Sequence, residues 1–225
     1  ARALAQTFRI RIKSTMIDTL SDDLFGAAGP LVITPARFGD SRGWFSESYN
    51  QRRLADAGFD VRFVQDNLSF SAQAGTLRGL HYQSPPHAQG KLVGVMTGAI
   101  RDVVVDIRDG SASYGHWAAI ELSEENGRQL WVPPGFLHGF VTLTGNTRVA
   151  YKVTDYYSKE HDGSVAWNDP DLGVDWGVDD PILSDKDAAA PRLLPLGRRA
   201  VVQQICRRSP PRRSGTSRGA CSSTR

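Results

Sequence analysis

The chain has 225 residues and a mass of 24.6 kDa, 40% of them hydrophobic and 23% charged, the balance of a globular protein with one large domain or two small ones. Its 22 Gly and 12 Pro suit short strands joined by turns. No run approaches the ~18 apolar residues of a membrane-crossing helix, and collagen-like, coiled-coil and wholly disordered classes are excluded as well. The net charge of +3 averages unlike parts. Residues 1–15 and 192–225 hold thirteen Arg and Lys and no acid, which leaves fourteen basic residues against all 24 acids in 16–191 and a body at −10. Such a body lacks the positive field that nucleic acid requires, so no nucleic-acid partner is implied.

Taken in chain order, residues 1–15 read as an extension ahead of a natural start at Met16, with no apolar core of a secretory signal. Leu31-Val32-Ile33, Trp44 to Tyr49 and Phe63 to Phe70 have strand character, and a short helix is expected over Gln51–Ala57, stopped by Gly58. Lys91–Met96 and Ala99–Ile107 flank Thr97-Gly98, a hairpin signal. Trp117–Leu122, Gln129–Val132, Gly139–Leu143 and Arg148–Val153 follow at short spacing with Gly, Asn or Pro between them. Many short strands and no strand–helix alternation predict an all-β sandwich or barrel with few short helices, not a doubly wound nucleotide fold. No glycine-rich phosphate loop is present. The domain is expected to run over 16–191. Residues 192–225, with nine Arg and no acid, read as a disordered basic tail, an extension unrelated to the fold, with a basic arm for RNA or membrane as the alternative. Both cysteines, Cys206 and Cys221, lie in that tail, and a body without cysteine fits a cytoplasmic protein.

All five histidines lie between positions 81 and 161. Gly127, Pro133, Gly135 and His138 have the spacing of the second signature of the cupin jelly rolls, which sets the expected fold as a cupin-type β jelly roll. The first signature asks for Gly, five residues, His, one residue, His and then a Glu. Gly75 and His81 comply, but Gln83 replaces the second histidine and no Glu follows at the required distance. Two imidazoles alone make a poor transition-metal site, so the expectation is a barrel without metal or other cofactor, a metal-dependent cupin being the alternative. An imidazole exchanges protons near neutral pH, so His81 becomes a candidate base. Arg78, Lys91 and Tyr151 lie on neighbouring strands, and charged side chains rarely enter a barrel unless paired or functional. Strict alternation does not settle whether Arg78 and His81 share a face. The set suits proton transfer beside a carbonyl in an anionic substrate: His81 removes an α-proton, Lys91 stabilises the enolate oxygen, and Tyr151 returns a proton from the opposite side.

The chain resembles the dTDP-4-dehydrorhamnose 3,5-epimerases from about Leu31 to Pro191. The resemblance rests on Phe38-Gly39-Asp40-Ser41-Arg42-Gly43-Trp44-Phe45-Ser46-Glu47-Ser48-Tyr49-Asn50, Phe63-Val64-Gln65-Asp66-Asn67 and Leu77-Arg78-Gly79-Leu80-His81-Tyr82-Gln83. It continues through Gln89-Gly90-Lys91-Leu92-Val93, the stretch Trp131 to Leu143, Tyr151 to Tyr157, and Lys186-Asp187-Ala188-Ala189-Ala190-Pro191. The resemblance implies a metal-free cupin homodimer, with N-terminal strands crossing to the partner, that inverts C3 and C5 of dTDP-4-dehydro-6-deoxyglucose. A single-centre epimerase is the close alternative. By position, His81 matches the proton acceptor, Tyr151 the proton donor, Asp187 the carboxylate paired with the histidine, and Lys91 the residue near the C4 oxygen. Arg42, Glu47, Gln65, Asn67, Arg78, His138 and Lys186 match nucleotide-sugar contacts, and Asp162 stands where the family often has a Glu, a shorter arm that calls for a bridging water. Taken singly, each has a plainer reading: Arg42 and Glu47 as an exposed ion pair, Tyr151 as barrel wall, Asp187 as the cap of a short helix.

Overall fold

The structure, a computed structural model, describes residues 16–20 and 24–193. The expected extension over 1–15, the tail from residue 194 onward and both cysteines lie outside the described residues. The strands in chain order are β1 (Met16–Thr19), β2 (Leu31–Thr34), β3 (Arg37–Asp40), β4 (Gly43–Ser46), β5 (Gln65–Ser71), β6 (Leu77–Gln83) and β7 (Lys91–Thr97). They continue with β8 (Ala99–Asp106), β9 (Trp117–Ser123), β10 (Gln129–Val132), β11 (Phe136–Thr142), β12 (Thr147–Val153) and β13 (Asp162–Ser164). Two short helices, α1 (Gln51–Asp56) and α2 (Asp185–Ala188), complete the set. A six-stranded sheet in the order β1-β2-β10-β7-β12-β5 faces a five-stranded sheet in the order β13-β6-β11-β8-β9, and β3 and β4 form a separate hairpin. Every pairing between these strands is antiparallel. The two facing antiparallel sheets are the sandwich or barrel that the strand spacing predicts, and they agree with the jelly roll expected from the signature at Gly127, Pro133, Gly135 and His138.

Alternation explains which residues fill the barrel. Val32, Val93, Leu130, Val132 and Val149 from one sheet meet Ile100, Val104, Leu122, Phe136 and Phe140 from the other. The outer faces are covered too. Leu77, Leu80, Val103, Val105 and Leu137 pack under the C-terminal segment through Val165, Leu172, Trp176 and Leu193. Ile33, Leu92 and Trp131 pack under Leu54 and Phe59. Cover on both faces is why the centre of β8 reads Val103-Val104-Val105, a continuous apolar run.

Some expectations are corrected. Thr97-Gly98 is not a hairpin: β7 pairs with β10 and β12, while β8 pairs with β11 and β9 in the other sheet. Gly98 is a corner, with φ +82 and a backbone so close to Thr144 and Thr147 that a Cβ would lie 2.5 and 2.6 Å from their hydroxyls. The dipeptide encodes a sharp reversal but not which strand the chain pairs with next. The strand from Trp44 stops at Ser46, because Asn50 turns to cap α1 by accepting from the Arg53 N–H. Two residues past the expected boundary at Pro191, Leu193 is buried and its N–H donates to Asp169 Oδ2 at 2.6 Å. Among the described residues no helix is long and apolar enough to cross a membrane.

Candidate active site

The site grows from an irregularity in β6. His81 stands opposite His138 of β11, but Arg78 stands opposite Phe140, so three steps along β6 match two along β11. The extra residue is a bulge. It leaves Leu77 and Leu80 together in the outer cluster and turns both Arg78 and His81 inward, the facing that alternation alone left open. Gly79 makes this local geometry feasible: its φ is +137, and a Cβ there would lie 2.5 Å from the Cα of Gly139.

His81 Nε2 lies 2.6 Å from Asp187 Oδ1. Asp187 is buried on α2. Its own environment pushes its carboxyl in opposing directions. Burial raises it, but the His81 hydrogen bond and charge, the Ser184 hydroxyl and Lys186 together hold it below the ordinary carboxylate range. An ionised Asp187 accepts from Nε2–H and leaves Nδ1 as the basic atom of the ring. Asp187 does not cap the helix. Ser184 does, its hydroxyl accepting from the Asp187 N–H at 3.2 Å and donating to Asp187 Oδ2 at 2.9 Å, so the cap orients the carboxylate that orients the histidine.

Tyr151 enters the barrel from the opposite sheet, on β12 between Asn67 of β5 and Val93 of β7, and packs against the inner core. Burial raises its phenol above the ordinary value, opposed by the charge of Arg78 and aided by that of Asp162, so it is held in the protonated, donating form. Lys91 opens β7 between Val132 and Val153. Burial pushes its ammonium down to about 8, while Asp102 and Asp162 pull the other way and Lys186 adds to the fall.

At the rim, Asp162 of β13 receives Lys186 Nζ at 2.5 Å and the Tyr157 hydroxyl at 3.4 Å. Its shorter arm is therefore already engaged by protein groups. Gln65 donates to Asn67 Oδ1 at 2.8 Å and accepts the Tyr157 N–H at 3.3 Å. Arg78 donates to Ser71 Oγ at 3.3 Å and to the Phe70 carbonyl at 3.0 Å. His138 Nε2 lies 2.6 Å from Asp102 Oδ1, both side chains buried.

Two sequence candidates stand outside this network. Arg42 is 88% exposed and pairs with Asp40 at 2.6 Å, while Glu47 pairs with Arg53 at 2.5 Å. Each forms an ion pair with a near neighbour, exposed for Arg42 and half-buried for Glu47, and they do not pair with each other. Two residues were missed. Asp102 lies on β8 between inward-facing Ile100 and Val104, and its second oxygen, Oδ2, is buried without a partner among the described residues. An acid at an inward position of an apolar strand is a signal that alternation exposes. Tyr157 presents an exposed ring beside Gln65 and Asp162, and only the loop's path reveals it.

The donors do not fit a cupin-type metal. Each histidine of the candidate pair is committed to its own carboxylate, and Gln83 is engaged with backbone groups. Among the described residues no three His, Cys, Asp or Glu side chains converge.

Comparison with known proteins adds an independent finding. The family model described as dTDP-4-dehydrorhamnose 3,5-epimerase matches residues 26–194. The dTDP-4-dehydrorhamnose 3,5-epimerase of Sinorhizobium fredii is 49% identical over 183 residues, covering 81% of this chain and 94% of that relative. Among solved structures, the Bacillus anthracis dTDP-4-dehydrorhamnose 3,5-epimerase with TDP and PPi bound has a TM-score of 0.75 at 49% identity, covering 79% of this chain and 100% of that one. The Legionella pneumophila dTDP-6-deoxy-D-glucose-3,5-epimerase in complex with dTDP-4-keto-L-rhamnose has a TM-score of 0.75 at 44% identity, covering 85% and 97%.

Proposed function

The chain belongs to the dTDP-4-dehydrorhamnose 3,5-epimerase family, and from that premise we propose that it inverts C3 and C5 of dTDP-4-dehydro-6-deoxy-D-glucose in the making of dTDP-L-rhamnose. The observation that carries the mechanism is the pairing of His81, on one sheet, with Asp187 of α2 at 2.6 Å, with Tyr151 turned into the barrel interior from the other sheet. His81 Nδ1 takes the proton from a carbon next to the C4 ketone. The C–H electrons become the enolate double bond, and the negative charge on the C4 oxygen is met by the Lys91 ammonium. The Tyr151 hydroxyl gives its proton to the same carbon from the opposite side and regains one from solvent as His81 releases its own. Repeating this at the second α-carbon inverts both centres. Arg78, His138, Asp162 and Lys186 bind the anionic substrate with Gln65 and Asn67, and Tyr157 offers the thymine base a stacking face. A cytoplasmic location belongs to the same proposal and rests on the cysteine-free body.

The proposal includes a homodimer. Arg42 and Glu47 match substrate contacts yet stand on or beside an exposed hairpin, where Phe45 is 69% exposed with Trp44 beside it. Leu68, Phe70 and Met96 lie bare on the outer face of the six-stranded sheet. A second copy would cover this apolar surface and receive Arg42 and Glu47 at its own pocket. Sedimentation at micromolar concentration should show a dimer.

The activity is tested by NMR of the nucleotide sugar incubated with the protein in deuterated water. Deuterium at both C3 and C5 and a new L-configured product are expected, and exchange at one carbon alone would identify a single-centre epimerase. His81→Ala should abolish exchange at both carbons, a loss of at least ~10²–10⁴-fold; normal exchange at either would refute the assignment of the base.

A further inference from the structure

Gln83 occupies the place where the cupin pattern has a second metal-binding histidine, two residues beyond His81 on the same strand. Its side chain is buried and its bonding capacity is spent on main-chain groups of two loops. Its Nε2 donates to the His87 carbonyl, in the loop between β6 and β7, and to the Tyr156 carbonyl at 2.9 Å, in the loop between β12 and β13. Its Oε1 accepts the Ser158 N–H at 2.9 Å. The second loop carries Tyr157 and ends at Asp162, whose backbone pairs with that of Gln83. No charged or singly functional side chain satisfies two carbonyls and one N–H together, whereas a primary amide does.

Resting on the epimerase reading, we propose that Gln83 is a positioning residue for nucleotide binding: its amide staples the two rim loops and so sets where Tyr157 and Asp162 stand over the pocket. Secondary ties support the same junction. His87 Nδ1 lies 3.1 Å from Asp155 Oδ2, Gln89 Nε2 donates to the Asp155 carbonyl at 2.7 Å, and Ser84 N–H donates to the His161 carbonyl at 2.9 Å. These hold the loops near each other, but Gln83 is the group that reaches both flanks of Tyr157. Loss of the amide deprives two carbonyls and one N–H of their partner, and water must take its place.

Gln83→Leu removes all three bonds at similar volume. Gln83→Glu keeps the acceptor for Ser158 but faces two carbonyls with a carboxylate. The expected result is a rise of at least tenfold in KM and in the Kd of dTDP alone for Gln83→Leu. The kcat and the C3 and C5 exchange rates at saturation should stay within about threefold of wild type. Gln83→Glu should bind dTDP more weakly as pH rises through its carboxyl titration, a dependence that wild type and Gln83→Leu lack. Folded variants with wild-type KM and Kd, or with the loss entirely in kcat, would overturn the proposal. Should a variant fail to fold, hydrogen exchange on the wild-type protein decides. Ser158 N–H must be protected well above the rate of an open loop, and exchange at the open rate refutes the staple. Because dTDP binding and amide protection are read without turnover, they separate failure of the staple from failure of the epimerase reading.

Discussion

Replacing Lys91 with methionine should make the protein more stable and nearly inactive. Lys91 stands on β7 between β10 and β12, and burial lowers its ammonium from 10.5 to about 8. At 1.36 kcal/mol per pKa unit, keeping it charged in the fold costs on the order of 3 kcal/mol at neutral pH, less in proportion to the water the open mouth admits. The folded value is the lower one, so between about pH 8 and 10.5 the unfolded chain binds more protons than the native one. Stability of the wild type therefore climbs with pH across that window and levels off above it. Lys91→Met, a side chain of similar length without charge, avoids the cost. It should gain up to ~3 kcal/mol at pH 7, several degrees in Tm for a domain of this size, and the advantage should vanish as pH passes 10.5. Activity should move the other way. Loss of the cation that meets the developing enolate oxygen should cost about 10²–10³-fold in kcat, and the wild-type rate itself should fall as pH rises through about 8. Urea unfolding of both proteins from pH 6 to 11, paired with NMR rates, reads every part of this. A Met variant less stable than wild type at pH 7, a gain that persists unchanged above pH 10.5, or a rate loss under tenfold would refute the reasoning.

Tyr151→Phe should separate exchange from inversion: deuterium still enters at one carbon or more, because His81 can remove a proton and restore one on the same face, while inverted product falls sharply. Product at the normal rate would make Tyr151 a wall residue. Asp187→Asn should lower kcat at least tenfold by removing the negative charge that favours Nε2–H and a proton-accepting Nδ1 on His81. The Asp187 carboxyl lies below its ordinary value in the fold, so its stabilisation is present above pH ~4 and is lost as pH falls through the folded value. The Asn variant should accordingly be less stable at pH 7 and converge with wild type in acid, which unfolding curves taken stepwise from pH 7 downward would check. Truncation after Leu193 should leave stability and turnover close to the full chain, whereas truncation after Pro191 should lose about 1.5–3 kcal/mol, the burial of one leucine. Equal Tm values for the two truncated proteins would show that Leu193 contributes nothing.

Alternation and turn residues, which are properties of neighbours in the chain, made most strands and the helix at Gln51 stopped by Gly58 legible; Arg78, His81, Lys91 and Tyr151 were legible as a set suited to proton transfer, and the other candidates only through the family resemblance. Gln83 was visible as a departure from a metal pattern because motif spacing is likewise a property of neighbours. Pairing was decided only in three dimensions. Thr97-Gly98 encodes a reversal, but the partner of each strand depends on which sheet has room for its apolar face, and β7 and β8 part company there. The inward turn of Arg78 and His81 needed one extra residue on β6, and a bulge is a mismatch between two strands that neither strand carries alone. Asp102 escaped the sequence reading because its partner, His138, reaches it only across the pairing of β8 with β11. Asp187 is matched to His81 in the sequence only by the family resemblance; that Ser184 takes the helix cap and leaves the carboxylate to hold His81 from 106 residues away was decided by where α2 packs. Contacts of that separation are set by how whole sheets stack, and no local pattern records them.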